Sequence, residues 1–276
     1  MPQVVLVTGC STGGIGYALC EEFARQGCKV YATSRRIETI EVFGNESIER
    51  LALDVTSDED VKKGLDYIVE KEGKIDVVVN NAGIIGAGPL AEQPLDFVKQ
   101  VFDTNAFSIL RVCKAVVPIM ASRHYGTIVN IGSVVGEVST PWNGLYCASK
   151  AAVHSISEVL SMELKPLGIF VLHVAPGAVQ SNIAANGTSR FALAPGSLYT
   201  DFLAMIHKRI NASQERNSMP SDVFARKVVA NALRKGGPPQ YMTLGGMAFL
   251  FSILKWLPRS WALAIVWKQY SQRSTK

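Results

Sequence analysis

Val4-Val5-Leu6-Val7-Thr8-Gly9-Cys10-Ser11-Thr12-Gly13-Gly14-Ile15-Gly16 decides how the rest of the chain reads. The first four residues are apolar and mostly β-branched, as expected of a strand covered on both faces of a parallel sheet. Glycines follow, and then a helical pattern runs to about Gln26. A glycine turn between a buried strand and a helix N-terminus lets the backbone approach a pyrophosphate, whose charge the helix end favours. The spacing predicts a dinucleotide-binding turn.

Outward from this turn the same alternation repeats. Strands are expected over 29–33, 48–53, 75–79, 127–131, 169–175 and 240–243, with helices over 58–72, 94–120, 143–165 and 220–235. Strands alternating with helices at this spacing imply a doubly wound α/β fold, a seven-stranded parallel sheet with crossover helices on both faces. In such sheets ligands bind at the carboxyl ends of the strands. Those ends carry Ser34-Arg35-Arg36, Asp54-Val55, Asn80-Asn81-Ala82-Gly83, Gly132-Ser133 and Pro176-Gly177. An acidic residue after the second strand would suit the ribose hydroxyls of NAD. Arginines there suit a phosphate dianion better, which points to NADP, with Arg35 the better placed and Ser34 a second donor.

Within the helical pattern from Asn143 to Lys165, Tyr146 and Lys150 are four residues apart and stand on one face. An ammonium beside a phenol favours the phenolate, so Lys150 is expected to lower the pKa of Tyr146 from its ordinary ~10.

The chain has 276 residues, of which 48% are hydrophobic and 18% charged, a balance that suits one large globular α/β domain. Its net charge of +5 is dispersed, with no basic block interleaved with aromatics of the kind that binds nucleic acid. The five cysteines form no disulfide-like framework and no CxxC pair, which suits a reducing compartment and a domain facing the cytosol. No metal-ligand cluster is visible, and the three Asn-x-Ser/Thr tripeptides carry little weight without a secretory profile.

Together these segments resemble the short-chain dehydrogenase/reductase family over about residues 3 to 245. The resemblance rests on the Gly9–Gly16 turn, Asp54-Val55, Asn80-Asn81-Ala82-Gly83, Asn105, Ser133, Tyr146 with Lys150, and Pro176-Gly177. It implies that Gly9, Ser11, Thr12, Gly14, Ile15 and Gly16 hold the cofactor phosphates, Asp54 and Val55 the adenine, and Asn80, Asn81, Ala82 and Gly83 the wall beyond. Pro176, Gly177, Val179 and Ser181 would touch the nicotinamide amide. The implied catalytic set is Tyr146 as general acid in reduction, Lys150 holding the nicotinamide ribose, Ser133 orienting the substrate oxygen, and Asn105 anchoring a water in the proton relay. Two departures stand out. Four residues, not the family's three, separate Gly9 from Gly14-Ile15-Gly16, and Ser181 stands where threonine is usual.

Two rivals come from other classes. Gly9-Cys10-Ser11-Thr12-Gly13 matches GxSxG, the nucleophile elbow of α/β-hydrolases, with Ser11 as nucleophile and His124, His154, His173 or His207 as base. In this reading His124 and His154 fall in helical patterns and His173 at an apolar strand position. The other rival is a binding protein on an inactive dehydrogenase scaffold, which an intact Tyr146, Lys150, Ser133 and Asn105 set argues against.

The domain reading places the dehydrogenase core at 1–243, with a substrate lid at 182–219, and an apolar, cationic segment at 244–276. Asn182–Arg190 reads as polar and glycine-containing, and 198–210 as helical. Trp256, Trp261 and Trp267 beside Lys255, Arg259, Lys268 and Arg273 look like an interfacial segment, and each apolar half is shorter than the ~20 residues a bilayer span needs. The expectation is peripheral contact over 244–270, at the cytoplasmic face of the endoplasmic reticulum or a lipid droplet, with packing on the lid or a partner subunit as the alternative. Tail, Ser-Arg-Arg and glycine loop together are most similar to fungal NADPH-dependent 1-acyldihydroxyacetone-phosphate reductases. That resemblance implies a lipophilic carbonyl substrate, a place in lipid metabolism and, by family analogy, a homodimer through the helices near 96–120 and 143–166. Steroid, retinoid and fungal secondary-metabolite carbonyls remain alternatives.

Overall fold

The computed structural model describes residues 2–273. The first strand, β1 (Val4–Thr8), is buried at all five positions, and its side chains divide between two cores. Val5 and Val7 face one side of the sheet and Val4 and Leu6 the other. This is the period-2 alternation of a strand covered on both faces. The other strands are β2 (Lys29–Ser34), β3 (Ile48–Ala52), β4 (Val77–Asn80), β5 (Gly126–Ile131), β6 (Ile169–Pro176) and β7 (Tyr241–Leu244). They form one seven-stranded sheet in the order β3-β2-β1-β4-β5-β6-β7, and every pairing is parallel. The order reverses at β1, where crossovers to either side leave a crevice at the strand ends.

The helices α1 (Ile15–Arg25), α2 (Asp58–Glu72), α3 (Leu95–Phe102), α4 (Ser108–Ala121) and α5 (Gly144–Glu163) follow the early strands. Ser57 caps α2 by accepting from the Asp60 N–H, three acidic residues fill its first turn, and Gly73 ends it in the left-handed conformation. Later come α6 (Ile183–Arg190), α7 (Leu203–Ile210), α8 (Ser221–Ala232), α9 (Ala248–Leu254) and α10 (Arg259–Tyr270). Leu19 and Phe23 of α1 and Phe224 and Val228 of α8 pack on one face of the sheet. Leu65 and Ile68 of α2, Val112 and Val116 of α4 and Val153 of α5 cover the other. The continuous helical run 95–121 is long and apolar enough to cross a membrane, with mean hydropathy 1.3, but half of that window is buried in the protein.

Three expectations need correcting. The helix expected over 94–120 is helical throughout but not α throughout: it contains a π turn, Asp103–Phe107, from which the Asn105 side chain reaches the Ile84 backbone and Ser149. Asn182–Arg190, read only as polar and glycine-containing with no helix assigned, contains α6. Its Gly187 lies where an added Cβ would be 3.3 Å from Ile85 and 3.4 Å from Ile210, so close packing outweighs weak helix propensity. His124, placed in a helical pattern, sits in the turn beyond α4 at φ 48°.

The C-terminal segment folds back onto the protein. Leu254, Ala262, Val266 and Tyr270 join Val138, Trp142, Ile206 and Ile210 in a separate apolar cluster. The Trp142 indole donates to the Tyr270 carbonyl at 2.9 Å, and Arg259 donates to the Glu137 carbonyl at 2.7 Å. The opposite face carries Phe249, Trp256 and Trp261, exposed by 81%, 83% and 65%.

Candidate active site

Two adjoining cavities open at the strand ends. The first is lined by Gly9, Ser11, Thr12 and Gly14 from the glycine loop, Ser34, Arg35 and Arg36 beyond β2, Asp54 and Val55 beyond β3, and Ala82 with Gly83 beyond β4. The glycines are needed for closeness. A Cβ on Gly16 would stand 2.5 Å from the Gly9 carbonyl oxygen, and one on Gly9 2.7 Å from the Ala82 Cα. The extra residue of the loop is absorbed at Gly13, which takes φ +75°, while Gly14 becomes the N-cap of α1 and its N–H bonds Ser11 O at 3.0 Å. The segment that follows β6 holds this loop from outside, for Asn182 Nδ2 donates to Thr12 O at 2.6 Å.

Hydroxyls meet beside the arginines. Thr39 Oγ1 is 3.1 Å from Ser11 Oγ and 3.0 Å from Ser34 Oγ, and both arginines line the same wall. Hydroxyl donors, two guanidinium groups and a cradle that any Cβ would fill suit an adenine dinucleotide bearing a phosphate on its ribose. Asp54 uses one carboxylate oxygen to close a turn, accepting from the Thr56 N–H and hydroxyl, and still lines the cavity.

Asn80 departs from its expected place. Its side chain is buried and donates to Asn130 Oδ1 at 2.9 Å, tying β4 to β5, because a strand-end amide within the sheet must find a partner there. Asn81 does line the cleft, and its Nδ2 donates to the carbonyls of Thr8 and Gly9, which fixes the glycine turn.

The second cavity is lined by Ser133, Tyr146, Lys150, Pro176, Gly177 and Val179. It shares Ile15, Asn81, Gly83 and Ser181 with the first, so the two form one cleft. Lys150 is buried and its Nζ donates to Ile131 O at 2.8 Å. Burial lowers its pKa to about 8. The Tyr146 ring centre lies 5.6 Å from that Nζ. Contrary to the expectation of a lowered value, burial pushes the Tyr146 phenol up to about 12, while Arg209 and the Ser133 hydroxyl act in the opposite sense. Desolvation outweighs charge here, and the effective cation is Arg209 rather than Lys150. Ser133 Oγ also donates to Pro176 O at 3.3 Å.

Asn105 approaches from behind. Its Oδ1 accepts from the Ile84 N–H at 2.8 Å, and its Nδ2 donates to Ile84 O and to Ser149 Oγ, both at 2.9 Å. The side chain expected to hold a water is thus engaged by protein on both its groups, and it positions the Gly83–Ile84 strand end against α5. Ser11, the nucleophile of the hydrolase reading, bonds Thr39, and among the described residues no histidine lines its cavity. His173 lies buried behind Gly132, where a Cβ would come within 2.2 Å of its ring. Among the described residues no group of His, Cys, Asp and Glu is arranged to hold a metal ion.

The site also contains residues the sequence pattern did not single out. Arg36, Thr39, Thr56 and Asn186 line the first cavity. Thr140 and Arg209 line the second, together with Leu250, Phe251, Leu254 and Val266 of the C-terminal helices. Arg36 adjoins a residue that was singled out. The tail residues carried a signal only as an apolar run, with nothing to say which face turned inward.

A parallel sheet with a glycine-cradled dinucleotide cleft that opens beside a tyrosine, serine and lysine defines a Rossmann-type oxidoreductase acting on CH–OH and C=O groups. The family model described as short chain dehydrogenase matches residues 3–190, and the chain belongs to that family. It is 35% identical to a short-chain dehydrogenase of Penicillium crustosum, over 93% of this chain and 94% of that protein. It is 32% identical to a 3-ketodihydrosphingosine reductase of Bacteroides thetaiotaomicron, with 93% and 94% covered. It is also 32% identical to the NADPH-dependent 1-acyldihydroxyacetone phosphate reductase of Saccharomyces cerevisiae, with 86% and 80% covered. Among solved structures, a short-chain dehydrogenase from Streptomyces avermitilis superposes with TM-score 0.78 at 29% identity, covering 98% of each chain. One from Burkholderia cenocepacia, in complex with NADP, gives 0.74 at 24% identity, covering 96% of this chain and 97% of its own, and shares the fold.

Proposed function

We propose that this chain is an NADPH-dependent reductase, reversible as a dehydrogenase, acting on the ketone of a lipophilic substrate such as an acyl-dihydroxyacetone phosphate. The observation that carries the reading is the convergence of Tyr146, Ser133 and Lys150 on one cavity whose far wall is apolar and continuous with the dinucleotide cleft. Bound there, the nicotinamide supplies the hydride, and the protein's task is positioning and proton delivery.

Gly9, Gly14 and Gly16 shape the cradle for the pyrophosphate, and Ser11, Ser34, Arg35, Arg36 and Thr39 take the ribose phosphate. Asp54 and Val55 flank the adenine, and Pro176, Gly177, Val179 and Ser181 the amide end. Tyr146 donates its phenolic proton to the carbonyl oxygen, and Ser133 orients that oxygen by a hydrogen bond. Lys150 would hold the nicotinamide ribose. Asn105 is a positioning residue, tying Ile84 to Ser149 beneath the pair.

Reductases of acyl-dihydroxyacetone phosphate and of 3-ketodihydrosphingosine are both among the relatives, which supports a long-chain ketone over a small metabolite. Steroid, retinoid and secondary-metabolite carbonyls are the second reading, which the apolar wall of Leu250, Phe251, Leu254 and Val266 would also accept. A screen following NADPH oxidation with acyl-dihydroxyacetone phosphate, steroid and retinal carbonyls tests the choice. Turnover of the steroid or retinal alone would contradict the lipid reading.

The segment 244–270 is proposed to do two jobs, its inner face walling the pocket and its outer face resting on a membrane or lipid-droplet surface. Exposed Phe249, Trp256 and Trp261 beside Lys255, Arg259 and Lys268 support this. A homodimer through α4 and α5 is supported by the exposed apolar residues Phe107, Leu110, Val159 and Met162.

A further inference from the structure

Arg209 projects from lid helix α7 into the substrate cavity. Its Nε donates to Thr140 Oγ1 at 2.8 Å, and that threonine is buried against Cys147. The anchor uses one of the five N–H donors of the guanidinium. Among the described residues the two terminal nitrogens have no hydrogen-bond partner, and no carboxylate lies within ion-pairing distance. Glu215, an exposed residue at the edge of the same cavity, is the acid that faces this region, with Lys150 and Tyr146 at its floor and Tyr270 on its wall. Leu250, Phe251, Leu254 and Val266 complete that wall. A half-buried guanidinium that is anchored at Nε and lines a largely apolar cavity leaves its two terminal nitrogens open to a bidentate oxyanion.

We propose that Arg209 recognises an anionic group, a phosphate monoester or carboxylate, that the substrate carries close to its reacting carbonyl, with the acyl chain on the tail helices. This rests on the ketone-reductase reading and narrows it to acidic lipid ketones, against neutral ones and against amine-bearing long-chain ketones. Arg209 is on this account a specificity-determining residue, since a cation beside the reacting oxygen repels an ammonium and pairs with an oxyanion.

The test uses the full chain loaded with NADP and three short-chain probes below their micellar concentrations: a 1-acylglycerol 3-phosphate, the matching monoacylglycerol and the matching 3-oxo fatty acid. Calorimetry reads the affinity of each for the wild type, Arg209→Gln and Arg209→Lys. Loss of a charge-assisted hydrogen bond of ~1.5–3 kcal/mol corresponds to a drop of about 10- to 150-fold for the anionic probes in Arg209→Gln, with under about threefold for the monoacylglycerol and partial recovery in Arg209→Lys. The anion that suffers the larger loss, phosphate or carboxylate, identifies the group. NADP affinity equal to that of the wild type shows that the variants fold. An equal loss for neutral and anionic probes, or wild-type preference for the monoacylglycerol, would overturn the proposal. Absence of NADPH oxidation with every ketone in the screen would instead strike at the reductase reading, leaving the binding comparison to stand or fall by itself.

Discussion

Lys150 gives its ammonium hydrogen bond to the Ile131 carbonyl, at 2.8 Å, while standing 5.6 Å from the centre of the Tyr146 ring one helical turn earlier. The pair therefore shares a cavity without a direct charge-to-phenol bond. Lys150, lowered by burial to about 8, titrates in the range where assays are run, whereas Tyr146 stays protonated well above it. The kcat/KM for ketone reduction reports the free enzyme, so it should be level at neutral pH and fall as pH rises through about 8, when the lysine loses its proton. Lys150→Arg keeps its charge throughout and should lack that limb, though at a lower plateau. An unchanged limb in that variant would assign the titration elsewhere.

The arginines beyond β2 set the choice of nucleotide. Arg35→Ala should raise the KM for NADPH by about 10- to 100-fold, the value of a lost charge-assisted hydrogen bond, and leave that for NADH nearly unchanged. Arg36→Ala, lining the same wall, tests whether the two share the load. Steady-state kinetics with both nucleotides decide it.

His173 makes the fold sensitive to acid. It is buried with neither ring nitrogen hydrogen-bonded, and burial, with His154 and Lys150 nearby, lowers its pKa from 6.5 to about 3. The unfolded chain binds a proton below 6.5 that the folded chain refuses, so the unfolded state holds more protons in that window. Stability from this group is fully present above 6.5 and declines by up to about 1.4 kcal/mol per pH unit as pH falls toward 3. In His173→Leu this contribution should vanish from urea midpoints measured between pH 7 and 4. The same slope in both proteins would contradict the assignment.

The two faces of the tail should separate experimentally. Leu254 is buried in the apolar cluster that holds Ile206 and Ile210 of α7, and Leu254→Ala should cost about 2–5 kcal/mol in stability and raise the ketone KM. Trp256→Ser changes an exposed residue and should leave stability within about 0.5 kcal/mol while reducing recovery with anionic vesicles in flotation. Flotation unaffected by Trp256→Ser together with Phe249→Ser and Trp261→Ser would remove the case for membrane contact.

Much of the sheet was legible because short apolar, β-branched runs suit a strand covered on both faces: Val4–Val7 and Val77–Val79 are uniformly apolar, and β5 carries Ile128, Val129 and Ile131. The strand-end residues followed, since the crevice of such a sheet has a fixed place. Three features were hidden for physical reasons. A π turn at Asp103–Phe107 inserts one residue without breaking the apolar stripe, so periodicity misses it. The tail's alternation between pocket and solvent depends on what α7 and Trp142 offer it, which no local pattern encodes. The sense of the Tyr146 shift was misjudged because helical spacing reveals the cation but not the burial that opposes it.

Tyr146→Phe tests the central claim most directly, because it removes one oxygen and leaves the packing of the ring in place. With the full chain, NADPH and a reducible lipid ketone, kcat should fall by about 10²–10⁴-fold, the usual worth of a positioned general acid, while the dissociation constant for NADPH stays within about twofold. A variant that keeps the wild-type kcat would show that the proton comes from another group.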